Sequence, residues 1–286
     1  MDNLEKNILT DLAQASLVEQ RRARRWKIFF RLTYLVLAAV IFVTLTADDN
    51  AQEKGPHTAI IDIDGVIASG APANAYDVIA GLERAFESKD VEGIIIRINS
   101  PGGSPVQSEL INQEINRLRS LKPDIPVYAV VEDLCASGGY YVAVAADTIY
   151  VAPSSIVGSI GVRMDGFEFT EALDSLGIKR RLLTAGENKA FLDPFSPMKP
   201  AQQAHAKSIL NNIHQQFIKA VTIGRGERLQ DSPEIFSGLV WTGEQSIELG
   251  LVDDYGSVLS VSRDVIGAKE LVNYSVQEGF GERIIR

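Results

Sequence analysis

The 286-residue chain has one cysteine, Cys135, which excludes an intramolecular disulfide framework and any zinc site built from several thiolates. Histidine is nearly as scarce: His57, His205 and His214 are too few for a histidine-rich metal centre. Positive charge is short too, with 28 Lys and Arg against 37 Asp and Glu, a net −9. A general nucleic-acid binder needs a basic surface to neutralise phosphates, so that class is set aside. No GxxxxGK[ST] and no GxGxxG occurs, which removes the common nucleotide-phosphate loops. Internal repeats and low-complexity tracts are also missing. What is present is a composition of 45% hydrophobic and 23% charged residues, enough to bury a sizeable globular core.

The longest apolar run lies near the N-terminus. Residues 32–47, "LTYLVLAAVIFVTLTA", carry no charge, and the run lengthens if it starts at Ile28. A membrane-spanning helix needs roughly 17–25 such residues. Arg31 lies near enough to the end for its guanidinium to reach the headgroups. Arg21, Arg22, Arg24, Arg25 and Lys27 precede the span and Asp48 and Asp49 follow it, a bias that keeps the N-terminus in the cytoplasm. A cleaved signal peptide is the rival reading, but the segment before the run is long and no small-x-small pattern follows it. "RRARR" beside a hydrophobic span reads as a topology signal rather than a nucleic-acid patch.

After a polar stretch with Gly-Pro (47–57) the pattern alternates. "TAIIDIDGVI" is β-rich, 76–88 has helical spacing, and "EGIIIRIN" (92–99) is a short apolar strand. Residues 105–121 read as a helix, 126–131 as a strand, 138–146 as a helix and 148–152 as a strand. Beyond these come "SSIVGSIGV" (154–162), a strand-like "IKRRLL" (178–183) and an exposed-looking 184–198. A helix over about 200–223 and the stretch 242–257 follow. Strands alternating with helices predict βαβ units and a largely parallel sheet, whose functional loops lie at the carboxyl ends of the strands. Two glycine-rich loops stand there: "NSPGGSP" (99–105) and "CASGG" (135–139).

Ser137 opens a helix directly after a buried strand. It fits a plain N-cap. It also fits a nucleophile, because the first N–H groups of a helix are free to receive an oxyanion and Gly138 and Gly139 let a carbonyl approach. Tyr140 at the third helical position gives no capping box. Gly102 and Gly103 have the same two readings, a tight turn or an anion cradle. A serine hydroxyl needs a base. His57 lies in the polar linker, and His205 and His214 on a long polar helix, so all three read as solvated. A lysine with a lowered pKa can serve instead. Lys189, in an irregular glycine-containing segment, is one candidate that composition alone does not single out. Cys135 reads as a small buried hydrophobe.

"INSPGGSPVQSELI", "ASGGYYVAVAADTIYVAPSSIVGSIGV" and "GENKAFLDPFSPM" resemble the signal peptide peptidase A family of serine–lysine proteases, over roughly residues 58–260. The resemblance implies a crotonase/Clp protease-like α/β fold, a spiral of βαβ units with a largely parallel sheet, preceded here by one N-terminal transmembrane helix. It implies Ser137 as nucleophile, Lys189 as general base, Ser159 as the hydroxyl orienting that lysine, and the N–H groups of Gly103 and Gly138 as the oxyanion hole. No metal and no cofactor is implied. The single unit resembles one half of tandem members, and the family's ring-like assemblies imply a homo-oligomer with shared active sites.

The expected organisation is a cytoplasmic tail (1–27), a transmembrane helix (28–47), a linker (48–57), a serine–lysine protease domain (58–262) and a C-terminal tail (263–286). The implied protein is a single-pass endopeptidase of the bacterial inner membrane. Its protease domain is extracytoplasmic and degrades cleaved signal peptides and similar hydrophobic peptides. Two alternatives share the expected fold: an acyl-CoA enzyme, disfavoured because no CoA reaches that compartment, and a non-catalytic membrane scaffold.

Overall fold

The computed structural model describes residues 3–46 and 55–276, with side chains in the first segment at residue 14 and at 16–42. These residues divide into an N-terminal unit and a second unit, Glu53–Val276. Within the first, α1 (Asn3–Thr46) is one continuous helix of 44 residues. At 1.5 Å per residue it runs about 66 Å, far beyond the span expected over 28–47. Its side chains from 16 to 42 are exposed, and the rings of Trp26, Phe29 and Phe30 pack on one another. Among the described residues no helix is long and apolar enough to cross a membrane. Arg25, Lys27 and Arg31 interrupt the apolar run within 25–42, and the side chains of 43–47 that complete the expected span lie outside the described residues. So do residues 48–54 of the expected linker and 277–286 of the expected tail.

The second unit begins with β1 (His57–Asp64), α2 (Ala75–Glu87), β2 (Val91–Ser100) and α3 (Pro105–Leu121). Each helix starts where the chain supplies a cap. The Asn74 side chain accepts from the Asp77 N–H, and Ser104 accepts from the Gln107 N–H with Pro105 in the first helical turn. The chain continues through β3 (Val127–Ala136), α4 (Gly138–Ala143), β4 (Thr148–Val151), β5 (Ile156–Gly158) and α5 (Thr170–Ser175). After α6 (Pro200–Arg225) come β6 (Val240–Thr242), α7 (Gly243–Glu248), β7 (Asp254–Tyr255) and β8 (Leu271–Asn273).

The sheet order is β6-β5-β3-β2-β1-β8, with β4 on β3 and β7 on β4. Every pair is parallel except β5 with β6. The chain is thus the expected spiral of βαβ units. Two-residue alternation along β1 sends Ala59, Ile61 and Ile63 to the main core with α2, α3 and α4, and Ile60 to a smaller cluster with Ile95, Val130 and Val261 on the other face. The feature that sets up the site is β3. Its residues Tyr128–Val130 pair with β4, whereas Leu134–Ala136 pair with β5. The far half of β3 therefore leaves β4 behind and delivers Ser137 between the β2 loop and the β5 loop.

Five expectations need correction. His57 is neither solvated nor in a linker: it is 1% exposed, opens β1, and its ring nitrogens lie 2.9 Å from the Tyr274 hydroxyl and 2.9 Å from the Gly55 carbonyl. Residues 263–276 are not a tail, because β8 pairs in parallel with β1 and buries Tyr274. Residues 178–183 form no strand; all are exposed and pair with no described strand. The helix expected over 138–146 stops at Ala143, and the strand expected over 126–131 runs on to Ala136.

Candidate active site

Three non-glycine residues among those described have left-handed backbone: Ser137 (φ 52°), Ser159 (φ 53°) and Leu192 (φ 57°). Such conformations cost energy for a residue with a Cβ and persist only where the surroundings hold them. Ser137 and Ser159 fall in one of the segments that carry the family resemblance, 136–162, and Leu192 in another, 186–198. Ser137 stands at the N-cap position of α4, yet its hydroxyl makes no capping bond, so the plain N-cap reading fails. Its backbone is pinned instead: its N–H donates to the Gly158 carbonyl at 2.8 Å, and its carbonyl accepts from the Tyr141 N–H at 2.9 Å. The half-buried hydroxyl opens onto a cavity of about 690 Å³.

Gly102, Gly103, Gly138 and Ser159 line that same cavity. The β2 loop is folded onto the start of α4 so closely that side chains are excluded. A Cβ on Gly103 would lie 2.1 Å from the Ile67 carbonyl oxygen, and one on Gly138 would lie 2.4 Å from Ser108 Oγ. Buried Ser100 ties the turn, donating to the Gly65 carbonyl at 2.6 Å and accepting the Gly102 N–H at 3.1 Å. The N–H groups of Gly103 and Gly138 find no acceptor among the described residues. Free N–H groups beside a hydroxyl are what acyl transfer requires. Cys135 has no such access: it is fully buried, and burial pushes its thiol well above the ordinary range.

Of the five residues assigned by resemblance, the fold brings together Ser137, Gly103, Gly138 and Ser159. It does not bring Lys189 to them. Lys189 is exposed, follows Gly186 in a turn closed by its N–H to that residue's carbonyl at 3.1 Å, and does not line the cavity. Among the described residues no lysine or histidine lines it. Its charged residues are Arg163 and Asp165, both far out in solvent. The opposite wall comes from α6, through Ile213 and Phe217, with Tyr141 from the end of α4. Sequence reasoning missed these. Their four-residue spacing puts Ile213 and Phe217 on one helix face, but nothing local ties that face to Ser137. Among the described residues no group of acidic, histidine and cysteine side chains could hold a metal ion.

Comparison with known proteins bears on this geometry. The pattern of peptidase family S49 matches residues 119–271, more than half of the chain and inclusive of Ser137, Ser159 and Lys189. The chain belongs to peptidase family S49. It is similar to the serine protease SPPA, chloroplastic, of Arabidopsis thaliana, at 31% identity over 205 residues, 71% of this chain and 29% of that protein. It is 44% identical over 215 residues, 73% of its length, to a Brucella melitensis protein named Na(+)/H(+) antiporter NhaA, covering 29% of it. The chain thus spans under a third of these relatives, and the antiporter name belongs to a much longer protein than the S49 unit matched here. Among solved structures it resembles the 1510-N membrane-bound stomatin-specific protease, a mutant in complex with a substrate peptide. The TM-score is 0.46 at 18% identity, over 81% of this chain and 96% of that one.

Proposed function

We propose that this S49 chain is a membrane-anchored serine endopeptidase in which Ser137 attacks the peptide carbonyl and Lys189 takes its proton. The observation that carries the reading is Ser137 itself, an uncapped hydroxyl held at positive φ beside unpaired glycine N–H groups. In the first step the neutral amine of Lys189 accepts the Ser137 proton as Oγ bonds to the carbonyl carbon. Gly103 and Gly138 N–H groups hold the oxyanion. The lysine ammonium then gives its proton to the leaving amine, and water releases the acyl-enzyme by the same route.

The base must come from outside the cavity's own lining, which supports a site shared between copies in a homo-oligomer. The segment that carries Lys189 exposes large apolar groups, Phe167 at 80% and Leu183 at 96% among them, with Leu176, Ile178 and Met198. Large apolar side chains exposed in this number along one segment support a surface that another chain covers. Ser159 orients the arriving lysine. The membrane anchor is α1 together with the apolar residues that follow Phe42, the N-terminus being cytoplasmic and the peptidase unit outside, at the bacterial inner membrane. Substrates are cleaved signal peptides and other hydrophobic peptides, which a tethered site meets at high effective concentration.

A serine-directed fluorophosphonate tests the reading. The native chain should be labelled and should hydrolyse an apolar peptide. Ser137→Ala should lose the label and about six orders of magnitude in kcat. Labelling that persists in Ser137→Ala excludes this nucleophile, and an unlabelled, inactive native chain favours a scaffold.

A further inference from the structure

The mechanism leaves one cleft-side group without a role, His214. It lies on α6 beside Ile213, which lines the cavity with Phe217. Its Nε2 is 3.1 Å from the carbonyl oxygen of Ile160, the residue that follows Ser159. A carbonyl only accepts, so Nε2 carries the hydrogen and donates. Ile160 is fully buried, which leaves the bond little room to be replaced by solvent.

The turn it touches is strained and tightly held. Ser159 sits at φ 53°, and its N–H donates to the Leu239 carbonyl at 2.7 Å. At Gly161 a Cβ would come within 3.1 Å of Gly238 Cα. The turn is therefore gripped on one side by the backbone of 238–239 and on the other by the imidazole of α6. Removing one grip frees Ser159 to relax from the left-handed region and swing its hydroxyl away.

We infer that His214 is a positioning residue for Ser159: its Nε2–H···O=C bond to Ile160 holds the 159–161 turn so that the Ser159 hydroxyl faces the cleft where the lysine arrives. His214 is not itself the base, since its one described polar contact is that carbonyl and it does not line the cavity. The inference rests on the role proposed above for Ser159.

The full-length protein in detergent tests it with His214→Leu, His214→Gln, His214→Asn, Ser159→Ala and the Ser159→Ala/His214→Leu pair. Leu should lower kcat about 10-fold with KM held within about twofold, because one hydrogen bond to the turn is lost and no substrate contact is. Gln places an amide donor near the Nε2 position and should recover most of the rate, whereas the shorter Asn should not. On the Ser159→Ala background His214→Leu should cost less than about twofold, since there is no hydroxyl left to position. Gln as slow as Asn, or a full His214→Leu loss on top of a slow Ser159→Ala, overturns the inference alone. Ser159→Ala with native rate overturns the role of Ser159 first. If His214→Leu does not fold, the comparison of Gln with Asn decides.

Discussion

At the scale of single residues, the site is built from what side chains would obstruct. A Cβ on Gly102 would lie 2.5 Å from the Gly138 nitrogen, so the two loops meet only because that position carries none, while Gly103 lies against the Ile67 carbonyl and Gly138 against Ser108 Oγ. Gly103→Ala should therefore push the loop off Ile67 and displace the N–H proposed to receive the oxyanion. We expect kcat to fall about 10²-fold, the cost of one lost oxyanion donor, with fluorophosphonate labelling slowed in step. Unchanged turnover in a folded Gly103→Ala protein would remove this residue from the oxyanion hole. Ser137 has an equally local logic: an N-cap serine lowers the energy of its helix by capping, and this one does not cap.

At the scale of elements, α4 is short, and its place depends on what lies beneath it. Buried Tyr140 donates to the Leu251 carbonyl at 2.6 Å. Near that end of the chain, Arg225 at the end of α6 is 1% exposed and makes two 2.8 Å bonds to Asp253 and a third to the Gly250 carbonyl. Burial alone would raise the Asp253 pKa, but hydrogen bonds from Arg225 and the Ile149 N–H outweigh it and hold the carboxyl below the ordinary range. A carboxyl lowered in the fold contributes stability that is present above the unfolded pKa of about 4 and is lost as pH falls through the folded value. The urea midpoint of Ser137→Ala protein should drop below about pH 4, and Asp253→Asn should flatten that slope. Arg225→Met, which leaves the Asp253 carboxylate with only Arg228 at 3.0 Å and the Ile149 N–H, should cost about 1–3 kcal/mol at neutral pH. An Asp253→Asn midpoint with the same acid dependence would assign the transition to other groups.

At the scale of the whole molecule, the peptidase unit has its own core, while its proposed base lies out in solvent on a segment rich in exposed apolar residues. If sites are shared, mixing Ser137→Ala with Lys189→Ala protein, each inactive alone, should restore activity. Random assembly pairs an intact serine with an intact lysine at about a quarter of the sites. Complete silence in oligomers shown to have mixed would place serine and lysine in one chain or remove Lys189 from the reaction.

Legibility followed the range of the forces involved. α2 and α3 were readable nearly to the residue, because helical periodicity is a local signal, and the caps at Asn74 and Ser104 fix the same starts in the structure. The alternation of strands and helices likewise dictated a parallel sheet with glycine loops at its carboxyl edge. Local pattern misplaced His57, whose burial depends on Tyr274 more than two hundred residues away, and residues 178–183, which pair with none of the described strands. The choice between cap and nucleophile at Ser137 also lay beyond the local sequence. The tertiary structure decided against the cap: β3 parts from β4 toward β5 and sets the serine, uncapped and at positive φ, against the Gly103 loop and Ser159, since a backbone strain of that kind is sustained only by contacts from distant parts of the chain.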